Sequence, residues 1–236
     1  MLILSKTNII YSLFPLMSKI PVYFMPGLAA SPTIFENIKL PEEQFEIILL
    51  EWCLPLEKES LQDYSFRMTK QIKKNNPVLI GVSFGGILVQ EMAMHINTRK
   101  IIIISSVKSN KEFPRRMKVA KSTMAYKLIP TSLLNNIEGL AKFSFGDTIS
   151  KRLKLYEKFL QVRDKKYLDW AIENTILWDR DNPAENIIHI HGLQDEVFPA
   201  KYISNYIPVK GGSHTMILNK FKWLNENLPL LILNDK

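Results

Sequence analysis

The chain has 236 residues and a formal charge of +8 at neutral pH, and 46% of its residues are hydrophobic. This length and composition suit one α/β domain built around a single core. No apolar run approaches the roughly 20 residues that cross a bilayer, so we expect no stable membrane insertion. The single cysteine, Cys53, excludes an internal disulfide and gives no sign of an oxidising compartment.

Residues 1–19 are expected to form an N-terminal extension ahead of the first strand. The apolar stretch at 8–17 resembles the core of a signal peptide, but only one basic residue, Lys6, precedes it and Pro15 interrupts it. No small-residue cleavage site follows. We therefore expect no secretion signal and a cytoplasmic location.

The positive charge is concentrated in residues 107–180, which hold 16 Lys and Arg against 8 Asp and Glu, whereas the rest of the chain holds 15 of each kind. A basic surface could attract an acidic substrate, but a solvated, Lys-rich helical surface explains the bias as well. No nucleic-acid-binding motif accompanies the charge, so nucleic acid is not an expected partner.

Six short apolar runs predict the strands of a parallel sheet. They are rich in Ile and Val and do not alternate with polar residues, which is typical of strands covered on both faces. The runs lie at 21–25, 45–52, 78–82, 100–106, 186–191 and 206–210.

Helical patterns at 61–74 and 87–96 lie between these strands, and a third at 213–227 follows the last strand. This alternation predicts an open, twisted sheet with helices on both faces. Residues 107–180 are too long for a simple crossover. We interpret them as a helical cap inserted into an α/β core made of residues 20–106 and 181–236. The larger aromatic residues of this cap are interpreted mainly as its own core; they are Phe143, Phe145, Tyr156, Trp170 and Trp178.

The sequence GVSFG at 81–85 follows an apolar strand and precedes a helical pattern. This is the setting of a nucleophile elbow, in which a sharp turn raises a serine hydroxyl above the edge of the sheet. The small residues around Ser83, including Gly86, allow such a turn. A structural turn that uses glycines only for packing is the alternative.

A serine needs a base to become a nucleophile, and His214 is the best placed of the four histidines. It lies in the loop between the last strand and the last helix, at the carboxyl edge of the sheet. His95 lies late in the helix after the elbow, and His189 and His191 lie within a strand. We therefore predict that His214 is the base.

The base needs an acid that orients its ring, and Asp195 follows a strand end at the same edge. Its neighbour Glu196 would point elsewhere if Asp195 points inward. The first acidic residue after the preceding strand is Glu112, which is distant in sequence. Asp195 is the predicted acid.

An oxyanion needs backbone donors placed in advance. The amide of Phe84, directly after the nucleophile, is one predicted donor. The loop after the first strand contains Pro26 and Gly27, and the amide of Leu28 is the second predicted donor. An ordinary Pro-Gly turn is the alternative for this loop.

A metal site built from His189, His191 and either Asp195 or His214 is the disfavoured alternative. The sequence contains neither the dinucleotide-binding fingerprint nor a phosphate-binding loop. We predict no metal and no cofactor.

Three segments together resemble the α/β-hydrolase superfamily: 81–86, His191-Gly192 with Asp195, and 212–214. Their order along the chain, Ser then Asp then His, is the order in that family. The segment 24–32 is similar to the family's oxyanion loop, although Pro26 stands where members commonly carry His. The resemblance covers about residues 20–228, diverges in the cap, and lacks the family's first two strands.

The resemblance implies a serine hydrolase acting on a small carboxylic ester or thioester. The family also contains acyltransferases and lyases, and both stay open as alternatives. A ligand-binding module on the same scaffold is the third alternative, although an intact set of three residues would be unnecessary for binding alone.

Overall fold

The computed structural model describes residues 18–128 and 158–234. Within these ranges the chain forms six strands: β1 (Ile20–Met25), β2 (Phe45–Leu49), β3 (Val78–Val82), β4 (Lys100–Ile104), β5 (Ile187–Gly192) and β6 (Ile207–Val209). They make one sheet in the order β2-β1-β3-β4-β5-β6, and every neighbouring pair is parallel. The predicted parallel sheet of about six strands is confirmed.

The centre of the sheet is fully covered, as its continuous apolar runs predict. All five residues of β3 and all five of β4 are buried. In contrast, the edge strand β2 is fully buried only at Phe45, whereas Ile47 and Leu49 are exposed. The edge of the sheet is therefore less completely covered than its centre.

The helices of the described chain are α1 (Leu61–Met68), α2 (Phe84–Met92), α3 (Arg115–Thr123), α4 (Lys165–Leu177), α5 (Met216–Asn219) and α6 (Phe221–Leu233). Three predicted helices have other bounds. The one expected at 61–74 ends as a 3₁₀ turn at Thr69–Gln71, and the one expected at 213–227 is two helices separated at Lys220, whose φ of −118° lies outside helical geometry. The helix expected from Ile87 starts at Phe84 instead. Gly85 and Gly86 lie inside its first turn, where they allow close packing against neighbouring residues.

The direction of the crossovers reverses at β1. The chain leaves β1 toward β2 and then returns past β1 to β3, after which it moves steadily toward β6. Right-handed crossovers therefore place the β1–β2 connection on one face and α1 and α2 on the other. The contacts agree, since α1 packs against α2 and α2 packs against β3 and β4.

This reversal opens a crevice between the carboxyl ends of β1 and β3. In open parallel sheets, ligands bind at such a switch point, because the two connections depart to opposite faces. The loop at Pro26 and Gly27 follows β1, and Ser83 follows β3. Both predicted parts of the site therefore border the same crevice.

The proposed division into extension, core and cap stays a prediction. Residues 1–17 of the extension and 129–157 of the cap, with Phe143, Phe145 and Tyr156, lie outside the described residues. In the described part of the cap region, α3 buries none of its residues, whereas α4 buries Trp170 and five others. None of the helices at 18–128 and 158–234 combines the length and the apolar character needed to cross a membrane.

Lys100 connects the start of β4 to the end of the last helix. Its side chain is buried, and Nζ donates to the carbonyls of Leu231 (2.9 Å), Ile232 (3.1 Å) and Asn234. The last carbonyls of a helix have no partner within the helix and carry its partial negative charge. The ammonium therefore satisfies the end of α6.

We expect Lys100→Met to lower the free energy of unfolding by roughly 1–3 kcal/mol, because buried carbonyls lose a charged donor while the chain volume is kept. Urea denaturation measures the loss. Lys70→Met, at an exposed lysine, is the matched control and should leave the midpoint unchanged. Equal midpoints for the two variants would contradict this role of Lys100.

His189 and His191 form a buried pair on β5. The Nε2 atom of His189 lies 3.1 Å from Nδ1 of His191, and Nε2 of His191 donates to the Phe198 carbonyl at 2.8 Å. Because His191 uses its proton on Phe198, its Nδ1 accepts from His189. Burial lowers the pKa of His189 well below 6.5, and His191 and Lys108 nearby add to the effect.

This pair predicts a loss of stability in acid. The unfolded chain binds a proton at His189 below about pH 6.5, whereas the folded chain does not, so stability falls as pH falls below that value. The loss amounts to roughly 1–2 kcal/mol for His189 one pH unit below its unfolded pKa. His189→Gln, which keeps a donor for His191, should flatten the slope of unfolding free energy against pH.

Urea midpoints at about pH 7.5 and pH 5.5 measure that slope. Gln62→Asn, at an exposed residue that does not titrate, is the control that should keep the wild-type slope. An unaltered slope in His189→Gln would mean that His189 titrates alike in the folded and unfolded chains.

Candidate active site

Ser83 occupies a strained turn between β3 and α2. Its φ of 53° and ψ of −121° lie outside the regions that non-glycine residues favour. The Ser83 amide donates to the Ile104 carbonyl of β4, and its carbonyl accepts from the Ser106 hydroxyl at 2.7 Å. The strained backbone is thus held by hydrogen bonds from the neighbouring strand and the loop that follows it.

Glycine is required on both sides of this turn. A Cβ atom on Gly81 would overlap the Gly85 carbonyl, and one on Gly85 would overlap the Pro26 carbonyl. A Cβ on Gly86 would lie 2.5 Å from Oγ of Ser106. Strand, turn and helix therefore approach so closely that side chains larger than hydrogen do not fit.

His214 lies beside Ser83 although 131 positions separate them in the chain. Its Nε2 is 3.0 Å from Oγ of Ser83. The imidazole is 8% exposed and packs edge-on against the ring of Phe198 at 5.6 Å between centroids. The loop between β6 and α5 therefore delivers a ring nitrogen within hydrogen-bonding reach of the hydroxyl.

Asp195 lies on the other side of the same imidazole. Its Oδ2 is 2.9 Å and its Oδ1 3.1 Å from Nδ1 of His214. Since a carboxylate only accepts, Nδ1 carries a proton, and Nε2 of the neutral ring faces Ser83 as an acceptor. The three predicted residues thus form one continuous hydrogen-bonded chain.

The Asp195 carboxylate is almost fully buried and is satisfied by its own turn. Its Oδ1 accepts from the amides of Val197 (2.9 Å) and Phe198 (2.8 Å). Two side chains hold that turn from outside. Arg116 of α3 donates to the carbonyls of Glu196 and Val197, and His191 donates to the carbonyl of Phe198.

The loop after β1 runs directly past the serine. A Cβ atom on Gly27 would lie 3.3 Å from Cβ of Ser83. Phe84 is the first residue of α2. Its amide therefore has no acceptor within the helix, because the first amides of a helix lack a carbonyl one turn before them. The peptide of Leu28 and the amide of Phe84 therefore border the serine, and their roles as donors stay predictions.

Trp52 is one residue of this site that sequence reasoning missed. Its indole stacks on the ring of Phe84, 5.2 Å away and inclined by 7°, and its Nε1 donates to the Gly27 carbonyl at 3.0 Å. The sequence suggested only the end of a strand here, and the strand in fact ends at Leu49. A tryptophan just past a strand end at the carboxyl edge was the one available signal.

Residues 158–177 pack against the loop after β1 and against this tryptophan. The amide of Ser31 donates to the Phe159 carbonyl, and the amide of Val162 donates to the Ala29 carbonyl. Tyr167 of α4 packs against Trp52, and its hydroxyl accepts from the Ala29 amide at 3.4 Å. Complete burial raises the pKa of Tyr167 well above its ordinary value, so the phenol stays neutral.

The remaining candidates lie elsewhere. Nε2 of His95 is 3.1 Å from the Ser65 hydroxyl, and the Glu112 carboxylate binds the amide and hydroxyl of Ser204. His189 and His191 bind each other as described. Among residues 18–128 and 158–234, no three His, Cys, Asp or Glu side chains are grouped as metal ligands.

No protein-family model and no curated protein sequence matches this chain. Solved structures do match. A bromoperoxidase from Bacillus anthracis covers 92% of this chain and 93% of its own length with a TM-score of 0.68 at 18% identity, and an esterase from Exiguobacterium antarcticum gives the same values. The enol-lactonase from Burkholderia xenovorans covers 92% of both chains with a TM-score of 0.70 at 11% identity. With its parallel sheet and the serine turn after β3, the chain therefore has the α/β-hydrolase fold.

Proposed function

We propose that this chain is a serine hydrolase that cleaves a small carboxylic ester or thioester through an acyl-enzyme on Ser83. The single observation that supports it most is the hydrogen-bonded chain from Ser83 Oγ to His214 Nε2 and from His214 Nδ1 to Asp195. A hydroxyl in such a chain has a proton acceptor at hand, which a structural serine does not need.

Acylation starts when Ser83 Oγ bonds to the substrate carbonyl carbon. The hydroxyl proton passes to Nε2 of His214, and the electron pair of the C=O double bond moves to the carbonyl oxygen. Asp195 stabilises the imidazolium that forms, because its carboxylate lies against Nδ1–H. The two amides bound to its Oδ1 keep this carboxylate oriented.

The amides of Leu28 and Phe84 are proposed to donate hydrogen bonds to the oxyanion. Fixed backbone donors need no reorganisation as charge develops, so they stabilise the tetrahedral state more than the planar ester. Phe84 also lies at the positive end of α2. The closeness of Gly27 to Ser83 supports the loop after β1 as the second source of a donor.

The oxyanion then collapses, the bond to the leaving group breaks, and the leaving oxygen or sulfur takes the proton from His214. Water attacks the acyl-enzyme by the same route: it gives its proton to His214, and the tetrahedral intermediate releases the carboxylic acid as Ser83 regains its proton. Each step uses only side chains and amides of this chain together with water.

The substrate class is supported by the fold neighbours and by an aromatic cluster that includes Phe84. Among the neighbours are an esterase and an enol-lactonase, both of which act on acyl–oxygen bonds. Phe84, which follows the serine in the chain, belongs to an aromatic cluster with Trp52, Tyr167 and Trp170. We propose that residues 107–180 form the cap that limits the substrate to a modest size.

A fluorophosphonate probe should label the wild-type protein at Ser83. We expect Ser83→Ala to abolish labelling and His214→Ala to slow it by at least about a hundredfold, because the base is lost. Ser122→Ala removes an exposed helix hydroxyl and is the matched control, which should label like wild type. Gel fluorescence and peptide mass spectrometry measure the extent and position of labelling.

Turnover of p-nitrophenyl acetate separates the open alternatives. A hydrolase labels and turns over, and a lyase on this fold labels but turns over little. A binding module does neither. An accessible, folded wild-type protein without labelling would reject the hydrolase.

Asp195→Asn should lower kcat/KM for p-nitrophenyl acetate by roughly 10³–10⁴-fold, because an amide permits the wrong tautomer of His214. Glu196→Gln is the control at the neighbouring, exposed carboxylate and should keep wild-type kinetics. Similar losses in both variants, or none in Asp195→Asn, would reject Asp195 as the orienting acid.

A further inference from the structure

We propose that Trp52 is a positioning residue for the oxyanion donors, holding both of them with one side chain. Trp52 lies beyond the end of β2 and is half-buried. Its contacts with Gly27 and Phe84 reach the two segments that carry the donors. The inference rests on the proposed function, since it assigns Trp52 a part in the same reaction.

The first contact acts on a single peptide unit. The Gly27 carbonyl and the Leu28 amide belong to the same peptide group, and no cis bond occurs in the described chain. In a trans peptide, the C=O and N–H bonds point in opposite directions within one plane. The bond from Trp52 to the Gly27 carbonyl therefore fixes the plane and sends the Leu28 N–H to the side away from the indole.

The same bond changes the strength of the donor. A hydrogen bond accepted by a carbonyl polarises its amide and makes the N–H at the other end a better donor. The Gly27 carbonyl also accepts from the Ala30 amide at 3.1 Å, so Trp52 supplies one of its two bonds. Loss of the indole N–H should weaken the Leu28 donor without removing it.

The second contact acts on the start of α2. The nearly parallel stack of the indole on Phe84 restrains the side chain of the residue whose amide is the other donor. Phe84 also packs edge-on against Trp170, with 5.9 Å between ring centroids. Trp52 thus connects the loop after β1 to the first turn of α2.

A purely structural role is the competing explanation, because Trp52 also packs against Tyr64 and Tyr167. The two explanations differ in the N–H group. Packing needs the shape of the indole, whereas positioning of the Gly27–Leu28 peptide needs its donor. A replacement that keeps the shape and removes the donor separates them.

The test introduces β-(3-benzothienyl)alanine at position 52, which replaces the indole N–H by sulfur and keeps the ring system. Trp52→Phe is the second variant. The same replacement at Trp223, a half-buried residue of α6, is the matched control. Kinetics with p-nitrophenyl acetate, their pH dependence and fluorophosphonate labelling are measured for each protein.

We expect the benzothienyl variant to lose about tenfold in both kcat and kcat/KM with KM unchanged, because acylation and deacylation share the oxyanion donors. This loss is smaller than the roughly 10²–10³-fold effect of removing a whole donor. The pH midpoint of kcat/KM should stay in place, since the contacts proposed to matter join Trp52 to Gly27 and Phe84 and not to the base. The Trp223 control should match wild type.

Wild-type kcat in the benzothienyl variant would overturn the role of Trp52, while labelling at Ser83 would still support the hydrolase. A raised KM with unchanged kcat, or a shifted pH midpoint, would also overturn it, because either would mean that Trp52 acts on ground-state binding or on the base. A wild-type protein that neither turns over nor labels would overturn both proposals.

Discussion

The close approach of three backbone segments determines how this site is built. The end of β1, the end of β3 and the first turn of α2 meet where only glycine fits at positions 81 and 85. That approach forces Ser83 into a left-handed φ and places its hydroxyl over the crevice at the reversal of strand order. The cost of such a backbone is of order 1–3 kcal/mol, which the surrounding sheet must offset. Everything proposed for the site depends on this turn being held rigidly.

The turn that carries Asp195 is also held rigidly, but by hydrogen bonds rather than by close backbone packing. Asp195 is buried, and a buried polar group needs hydrogen-bond partners. Amides of its own turn and the imidazole of His214 supply these partners. The turn is fixed in place by Arg116, which comes from α3 in the proposed cap. The region proposed to shape the pocket therefore also contacts the turn that begins at Asp195.

The sheet and the three side chains that the structure brings together could be predicted from the sequence, because each of them has a recognisable local sequence pattern. Continuous Ile- and Val-rich runs mark buried parallel strands, and glycines flank Ser83. Helix bounds were less accessible, since the glycines that seemed to precede α2 lie inside it for the sake of packing. Trp52 and Arg116 were missed for another reason. Their partners lie 25 and about 80 positions away, and nothing local distinguishes a tryptophan that donates to Gly27 from one that only fills the core.

The most direct measurement of the central claim is the mass of the covalent intermediate. Wild-type protein mixed with p-nitrophenyl acetate, quenched in acid within milliseconds to seconds and digested, should carry one acetyl group on the peptide that contains Ser83. The modified fraction should decay as water releases the acid. An unmodified Ser83 peptide during steady turnover, or an acetyl group on another residue that matches the turnover rate, would contradict the account.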